Sequence, residues 1–256
     1  MKTIISHFYN EEYLLPWWLK HHKQFFDHGI MIDYHSTDNS VNIIKEICPT
    51  WEIVESKNLF FDSSDIDREI EEIEKRINGW RIVLNTTEFL VGDYSYIDNH
   101  DNNTILIGNY VFVDDKTENL DKNKPIYNQI SFGYIEHDAT HACQTINLGN
   151  RPNRLLHTGN LKYPISGGRH YDGKVSTEDL AIFYYAYLLK NEQIIKRKLQ
   201  IQNKISEYEI NLFKEVSHPN ITNYEDFIFK ILKHQYPKCE DLTLQISRLV
   251  NLQTNH

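Results

Sequence analysis

Lys2 to Ser40, KTIISHFYNEEYLLPWWLKHHKQFFDHGIMIDYHSTDNS, is the stretch whose reading decides the fold. Thr3 to Phe8 is a short apolar run of β-prone residues, and Asn10 stands where a side-chain oxygen accepts from the open amides of a following helix. From Glu11 the period turns helical: Leu14, Leu15, Trp18, Leu19, His22 and Phe25 fall near one face, and Pro16 is tolerated within the first turns. Gly29 punctuates. Ile30, Met31 and Ile32 form a buried-type strand ending on Asp33, and Ser36, Thr37 and Asp38 make the turn and N-cap of a helix over Asn39 to Ile47. A β-α-β unit of this length builds a parallel sheet, in which ligands sit beyond the carboxyl ends of the strands. Asn10, Glu11, Asp33, Ser36 and Asp38 then share one rim.

Three segments in order, Asn10-Glu11-Glu12, Leu14 to His22, and Asp33 to Ser40, resemble the opening of the family-two-like glycosyltransferases with the GT-A fold. The resemblance implies an α/β chain with a Rossmann-like, mostly parallel central sheet flanked by helices. It also implies a glycosyltransferase of hexosyltransferase type whose first rim binds the nucleotide of a nucleotide-sugar donor, with Asp33 reading the base. The chemistry fits, because a carboxylate at a strand end accepts from a base edge and open amides at a loop-to-helix junction suit anionic groups.

Trp80 to Leu84 reads as a further strand and stops at Asn85-Thr86-Thr87-Glu88-Phe89. In the resembled family this place carries Asp-x-Asp-Glu-Phe, whose aspartates hold manganese or magnesium against the donor diphosphate. Here Asn85 and Thr87 replace both aspartates, and neutral oxygens hold a hard cation weakly. Three readings stay open. Glu88 keeps a metal with water and another side chain, or the enzyme runs without metal, or catalysis is lost and only nucleotide or glycan binding remains. The family also has a late histidine after a small residue, folded over the diphosphate or completing the metal shell. His170, in Ser166-Gly167-Gly168-Arg169-His170, takes that position, with Arg169 able to neutralise phosphate.

With 256 residues, 40% of them hydrophobic, the chain can bury a substantial core. The net charge of -9 argues against broad attraction to nucleic acid. Its three cysteines have no paired spacing, which fits a reducing compartment and core roles. No run reaches membrane-spanning length and no signal-peptide pattern opens the chain, so a cytoplasmic location is expected, with peripheral membrane contact left open.

Further along, Trp51 to Glu55 reads as a strand and Asp62 to Asn78 as a charged helix with Ile66, Ile70, Ile73 and Ile77 inward, Glu74 on the wet side and its acidic start serving only as a cap. Asn102 to Asp114 reads as a pair of short strands around Gly108-Asn109, and Ile126 to Ile135 as another strand. Glu136-His137-Asp138-Ala139-Thr140-His141 reads as a polar loop facing the acceptor, a glycan or other hydroxyl compound, with Glu136 or Asp138 as general base. If that loop were helical, His137 and His141 would share a face at zinc-site spacing, although the glutamate of the hydrolase pattern is misplaced. Thr177 to Asn191 reads as a helix with Leu180, Phe183, Tyr184, Tyr187 and Leu188 buried, followed by a basic helix to Lys204 with a solvated face. Residues 1–191 form the expected transferase domain and 192–256 a helical extension packed on it.

Overall fold

β1 (Lys2–Phe8) lies at the centre of the computed structural model, which describes residues 1–136, 153–159, 161, 162, 169, 171, 174–207, 228, 232, 233 and 236–254. It pairs in parallel with β2 (His28–Asp33) on one side and β4 (Trp80–Val83) on the other. β3 (Glu52–Glu55) extends the parallel set beyond β2. The connecting helices are α1 (Leu15–His22), α2 (Ser40–Ile47) and α3 (Ser63–Glu74). Strand alternation divides their packing: Ile4, Met31 and Ile82 meet the α1 and α2 side, while Ile5, Ile30, Ile32 and Val83 meet Ile66, Ile70, Ile73 and Ile77 around α3. Helices on opposite faces put the reversal of strand order beside β1, and the crevice of such a sheet opens there.

The remaining strands correct the expectation of a mostly parallel sheet. They are β5 (Glu88–Gly92), β6 (Thr104–Asp114), β7 (Phe132–Glu136), β8 (Arg154–His157), β9 (Leu180–Leu188) and β10 (Glu240–Asp241). β8 pairs antiparallel with both β4 and β6, and so joins the parallel strands to the second half of the sheet. The sheet is therefore mixed, and parallel only in part. A short helix, α4 (Ser95–Asp98), follows β5.

Two segments fold differently from their sequence pattern. Residues 180–188 are not helical. They form β9, inserted between β5 and β6, with Leu180, Ile182, Phe183, Tyr185 and Leu188 buried. A strand covered on both faces is apolar almost throughout, and its residues then match a helical stripe as well as a strand. Residues 104–114 form one strand, not two: at Gly108 β6 changes partners, from β8 to β7 and β9, without turning. The run expected as a strand from Ile126 begins instead with a 3-10 turn at Ile126–Asn128, and pairing starts at Phe132. Glu74, expected in solvent, is buried beside His157.

In the C-terminal segment, α5 (Glu192–Gln200) and α6 (Thr243–Thr254) are helical, while β10 adds an edge strand to β7. Leu242, Ile246 and Leu249 enter the main core. Among the described residues no helix is long and apolar enough to cross a membrane.

α1 does more than cover the sheet. The Trp18 indole N–H donates to the carbonyls of Asn85 (3.1 Å) and Glu88 (2.9 Å). His21 Nε2 lies 2.6 Å from the Leu90 carbonyl, and His22 Nε2 accepts from the Leu90 amide at 3.2 Å while its Nδ1 meets the Trp18 carbonyl at 2.9 Å. The helix thus fixes the backbone that leads from β4 into β5. Burial holds both imidazoles neutral, lowering His21 to about 4 and His22 well below its ordinary value. His22→Ala orphans the buried Leu90 amide and should cost about 1–3 kcal/mol in urea denaturation from that loss alone. For His21, the unfolded chain takes up its proton near 6.5 and the folded one only near 4, so stability is lost as pH falls through that window. The wild type should lose stability relative to His21→Gln between pH 6.5 and 4, measured by thermal denaturation.

Candidate functional site

The carboxyl ends of β1 and β2 are level, with Phe8 opposite Asp33. Asn10 follows in the left-handed region (φ 51°), which asparagine tolerates better than most residues. From there its side-chain oxygen accepts from the amides of Thr37 (2.7 Å) and Asp38 (3.3 Å), and its own amide donates to Ser36 Oγ at 3.1 Å. Asn10 therefore caps the loop before α2, not α1, whose first turn has no side-chain cap. Asp38 accepts from the Glu12 amide (3.0 Å) and the Ser40 amide (3.0 Å), and Ser40 Oγ accepts from the Glu11 amide (2.8 Å). Asp33 Oδ1 accepts from the Ser36 amide at 2.9 Å, leaving Oδ2 without a protein partner among the described residues. Asn10, Asp33, Ser36 and Asp38 thus stand together on the rim, woven into one loop pair.

The remaining candidates are placed differently. Glu11 is buried, and Oε2 accepts from Arg197 Nε at 2.5 Å. Burial raises its carboxyl, opposed by the Arg197 charge. Arg197 Nη2 reaches Thr86 Oγ1 at 3.3 Å, so a residue of α5 ties the end of β1 to the turn after β4. Gln200 adds a bond to the Asn10 carbonyl (2.9 Å). Beyond α5 the chain stays fastened: Ser206 Oγ meets Asp62 at 3.1 Å, and the Lys204 ammonium lies over the Tyr9 ring. The helix keeps the expected solvated face at Glu192, Gln193 and Lys196, while its other side, through Arg197, ties the end of β1 to the turn after β4.

Glu88, read as the surviving metal ligand, spends its carboxylate inside the protein. Arg154 Nε donates to both oxygens at 3.1 Å, Arg154 Nη2 to Oε1 at 2.6 Å, and the Asn85 amide to Oε2 at 2.7 Å. Both side chains are buried. Thr87 is buried as well, and among the described residues no group of three or more His, Cys, Asp or Glu is arranged to hold a metal ion. The donor set around Asn85, with neutral oxygens and a committed glutamate, does not fit manganese or magnesium. Arg169, read as a phosphate contact, pairs with Asp67 of α3 at 2.7 Å, so Asp67 is more than part of an acidic cap. His170, the other tentative metal ligand, lies outside the described residues, as do Asp138, His137 and His141.

Sequence reading placed Arg197 and Lys198 on a basic helix without bringing them to the rim, and passed over His7. His7, near the end of β1, is half-buried, with its pKa lowered by desolvation and by the charges of Arg169, Arg154 and Arg197. Lys198 is lowered to about 7 by burial and by Arg197, with Glu11 opposing. Arg197 and Glu11 are 186 residues apart, and no local spacing signals such a pair.

Glu136 ends β7 with Oε1 unpartnered among the described residues, and burial pushes its carboxyl up to about 7, with the Lys238 charge opposing. Tyr187 lies within electrostatic reach of Glu136 and packs edge-on against Tyr184, which in turn feels Glu88 and Arg197. Away from the rim, a cleft of about 1080 Å³ runs along the opposite face of α5, touching Ile195, Leu199 and Gln200.

No protein-family model matches the sequence, and no curated protein matches it. Among solved structures, the chain is similar to S. aureus TarS 1–349 at 11% identity and a TM-score of 0.36, covering 90% of this chain and 73% of that one. TarS 1–349 in complex with UDP-GlcNAc gives 11% identity and a TM-score of 0.36, with coverage of 85% and 71%. HddC from Yersinia pseudotuberculosis gives 13% identity and a TM-score of 0.31, with coverage of 53% and 68%. Values this low leave the site to be read from its own residues.

Glu88→Gln strands the Arg154 charge in the interior and should destabilise by about 3–5 kcal/mol, whereas the double variant Glu88→Leu with Arg154→Met removes both charges and should recover most of that loss. Urea denaturation of the single and double variants checks this. A glutamate kept for a cation would show little stability change on its own.

Proposed function

We propose that this chain is a glycosyltransferase that moves a sugar from a nucleotide-sugar donor to an acceptor hydroxyl. The observation that carries the reading is the convergence, at the reversal of strand order beside β1, of the Asn10 and Asp33 loops with the turn at Asn85. Asp33, with one oxygen unpartnered, suits the donor edge of a base, and the loop held by Asn10, Ser36 and Asp38 holds that carboxylate in place.

Glu136 is the base we assign. A carboxyl near pH 7 with an unpartnered oxygen can accept a hydroxyl proton at neutral pH, and its β-strand position keeps it rigid. The acceptor oxygen attacks the anomeric carbon as its proton passes to Glu136, and the bond to the diphosphate breaks with the pair leaving on the phosphate oxygen. Glu11 and Glu88 act as partners of Arg197 and Arg154 and touch no substrate in this scheme. A second reading, a nucleotide- or glycan-binding protein without transfer, is favoured by the same replacement at Asn85 and Thr87.

Incubation with a panel of sugar nucleotides and glycan acceptors, with manganese or with a chelator, should release nucleoside diphosphate from one of them. Binding by calorimetry without release from any member would sustain the second reading and remove the first. Asp33→Asn should raise the donor KM about tenfold or more, the worth of a hydrogen bond to a charged group. Glu136→Gln should lower kcat by about 10²–10⁴-fold. Because the base works only when ionised, the wild-type rate should climb with pH through about 7, and that limb should vanish in the variant.

A further inference from the structure

The metal reading fails on donor chemistry at Asn85 to Glu88, yet a leaving diphosphate still needs positive charge. One cation of α5, Arg197, reaches this place, and Lys198 follows it on the helix. Arg197 Nη2 touches Thr86, the residue between Asn85 and Thr87, while its Nε is held by Glu11. Its Nη1 hydrogens have no partner among the described residues. Next to it, Lys198 is half-buried and forms no ion pair among the described residues. Among the described residues Glu11 alone opposes the two positive charges that Lys198 and Arg197 bring together, and Glu11 is already bonded to the guanidinium. A desolvated ammonium without a counter-ion is costly, and an anion placed beside it removes that cost. The other two arginines near His7 are each satisfied by an acid of their own, Arg154 by Glu88 and Arg169 by Asp67, so the imbalance is local to α5.

We propose that Arg197 and Lys198 bind the diphosphate of the donor and take up the charge of the leaving group in place of a divalent cation. The assignment rests on the transferase reading above and names the groups that complete it. As the acceptor oxygen bonds to the anomeric carbon and the carbon–oxygen bond to phosphate breaks, the electron pair passes to the diphosphate. The added negative charge then falls on a guanidinium fork and an ammonium. Glu11 and Thr86 hold the fork in position. Arginine suits this role because its planar array presents parallel donors to phosphate, with lysine adding a point charge.

The test uses the full chain and inorganic pyrophosphate, measured by calorimetry at pH 7 in the presence of a chelator. The wild type should bind pyrophosphate without metal, and Lys198→Gln and Arg197→Lys should each weaken binding about tenfold or more, the worth of a lost charged hydrogen bond. Lys198→Gln breaks no ion pair among the described residues and Arg197→Lys keeps a cation facing Glu11, so thermal denaturation should find both variants folded. No binding by the wild type, binding only when manganese or magnesium is added, or equal affinity in wild type and both variants would overturn the assignment. The two readings fail separately. Turnover of a sugar nucleotide that strictly needs manganese removes the cation role and leaves the transferase, whereas metal-free pyrophosphate binding lost in Lys198→Gln, with no sugar nucleotide consumed, leaves an anion site without the transferase.

Discussion

The buried ion pair between Glu88 and Arg154 is the constraint on which the rest of the molecule depends. Glu88 opens β5 and Arg154 opens β8, and β8 is the strand that joins the parallel set to the second half of the sheet. Removing two charges from water is expensive, and the cost is offset here by a fork of hydrogen bonds to the carboxylate, by the Asn85 amide on the same group and by the Arg169 carbonyl on the guanidinium. The turn at Asn85 to Thr87 takes its shape from this pair on one side and from the Trp18 indole on the other. What lies on the rim is therefore the part of that turn not consumed in holding the sheet together.

The consequence for chemistry is a redistribution of charge. Three buried acids are each turned against an arginine. Glu11 meets Arg197, Glu88 meets Arg154, and Asp67 on α3 meets Arg169, all near the His7 ring. Burial raises the Glu11 and Asp67 carboxyls despite the neighbouring cations. Each pair ties together parts distant in the chain: Arg197 on α5 to Glu11 after β1, Arg154 on β8 to Glu88 on β5, and Arg169 to Asp67 on α3.

Much of this was open to sequence reading only in outline. The β1-α1-β2-α2 order, the inward face of α1 and the rim position of Asn10 and Asp33 follow from periodicity and turn chemistry, which are local. His21 and His22 sat on the right helix, yet that they bond the Leu90 backbone depends on a strand nearly 70 residues away. β9 was misread because burial on both faces erases the alternation that marks a strand, and Phe183, Tyr184 and Tyr187 satisfied a helical stripe equally well.

By itself the sequence determined an α/β chain with a leading parallel unit, a polar rim made of the Asn10 and Asp33 loops, and the absence of acids at Asn85 and Thr87. The tertiary structure alone decided that the sheet is mixed, that Glu88 is spent on Arg154, and that Arg197 arrives at the turn after β4. The physical reason is range: caps, turns and periodic faces are set by residues a few positions apart, whereas which acid meets which base in a buried site is set by the packing of elements that the chain brings together from its two ends.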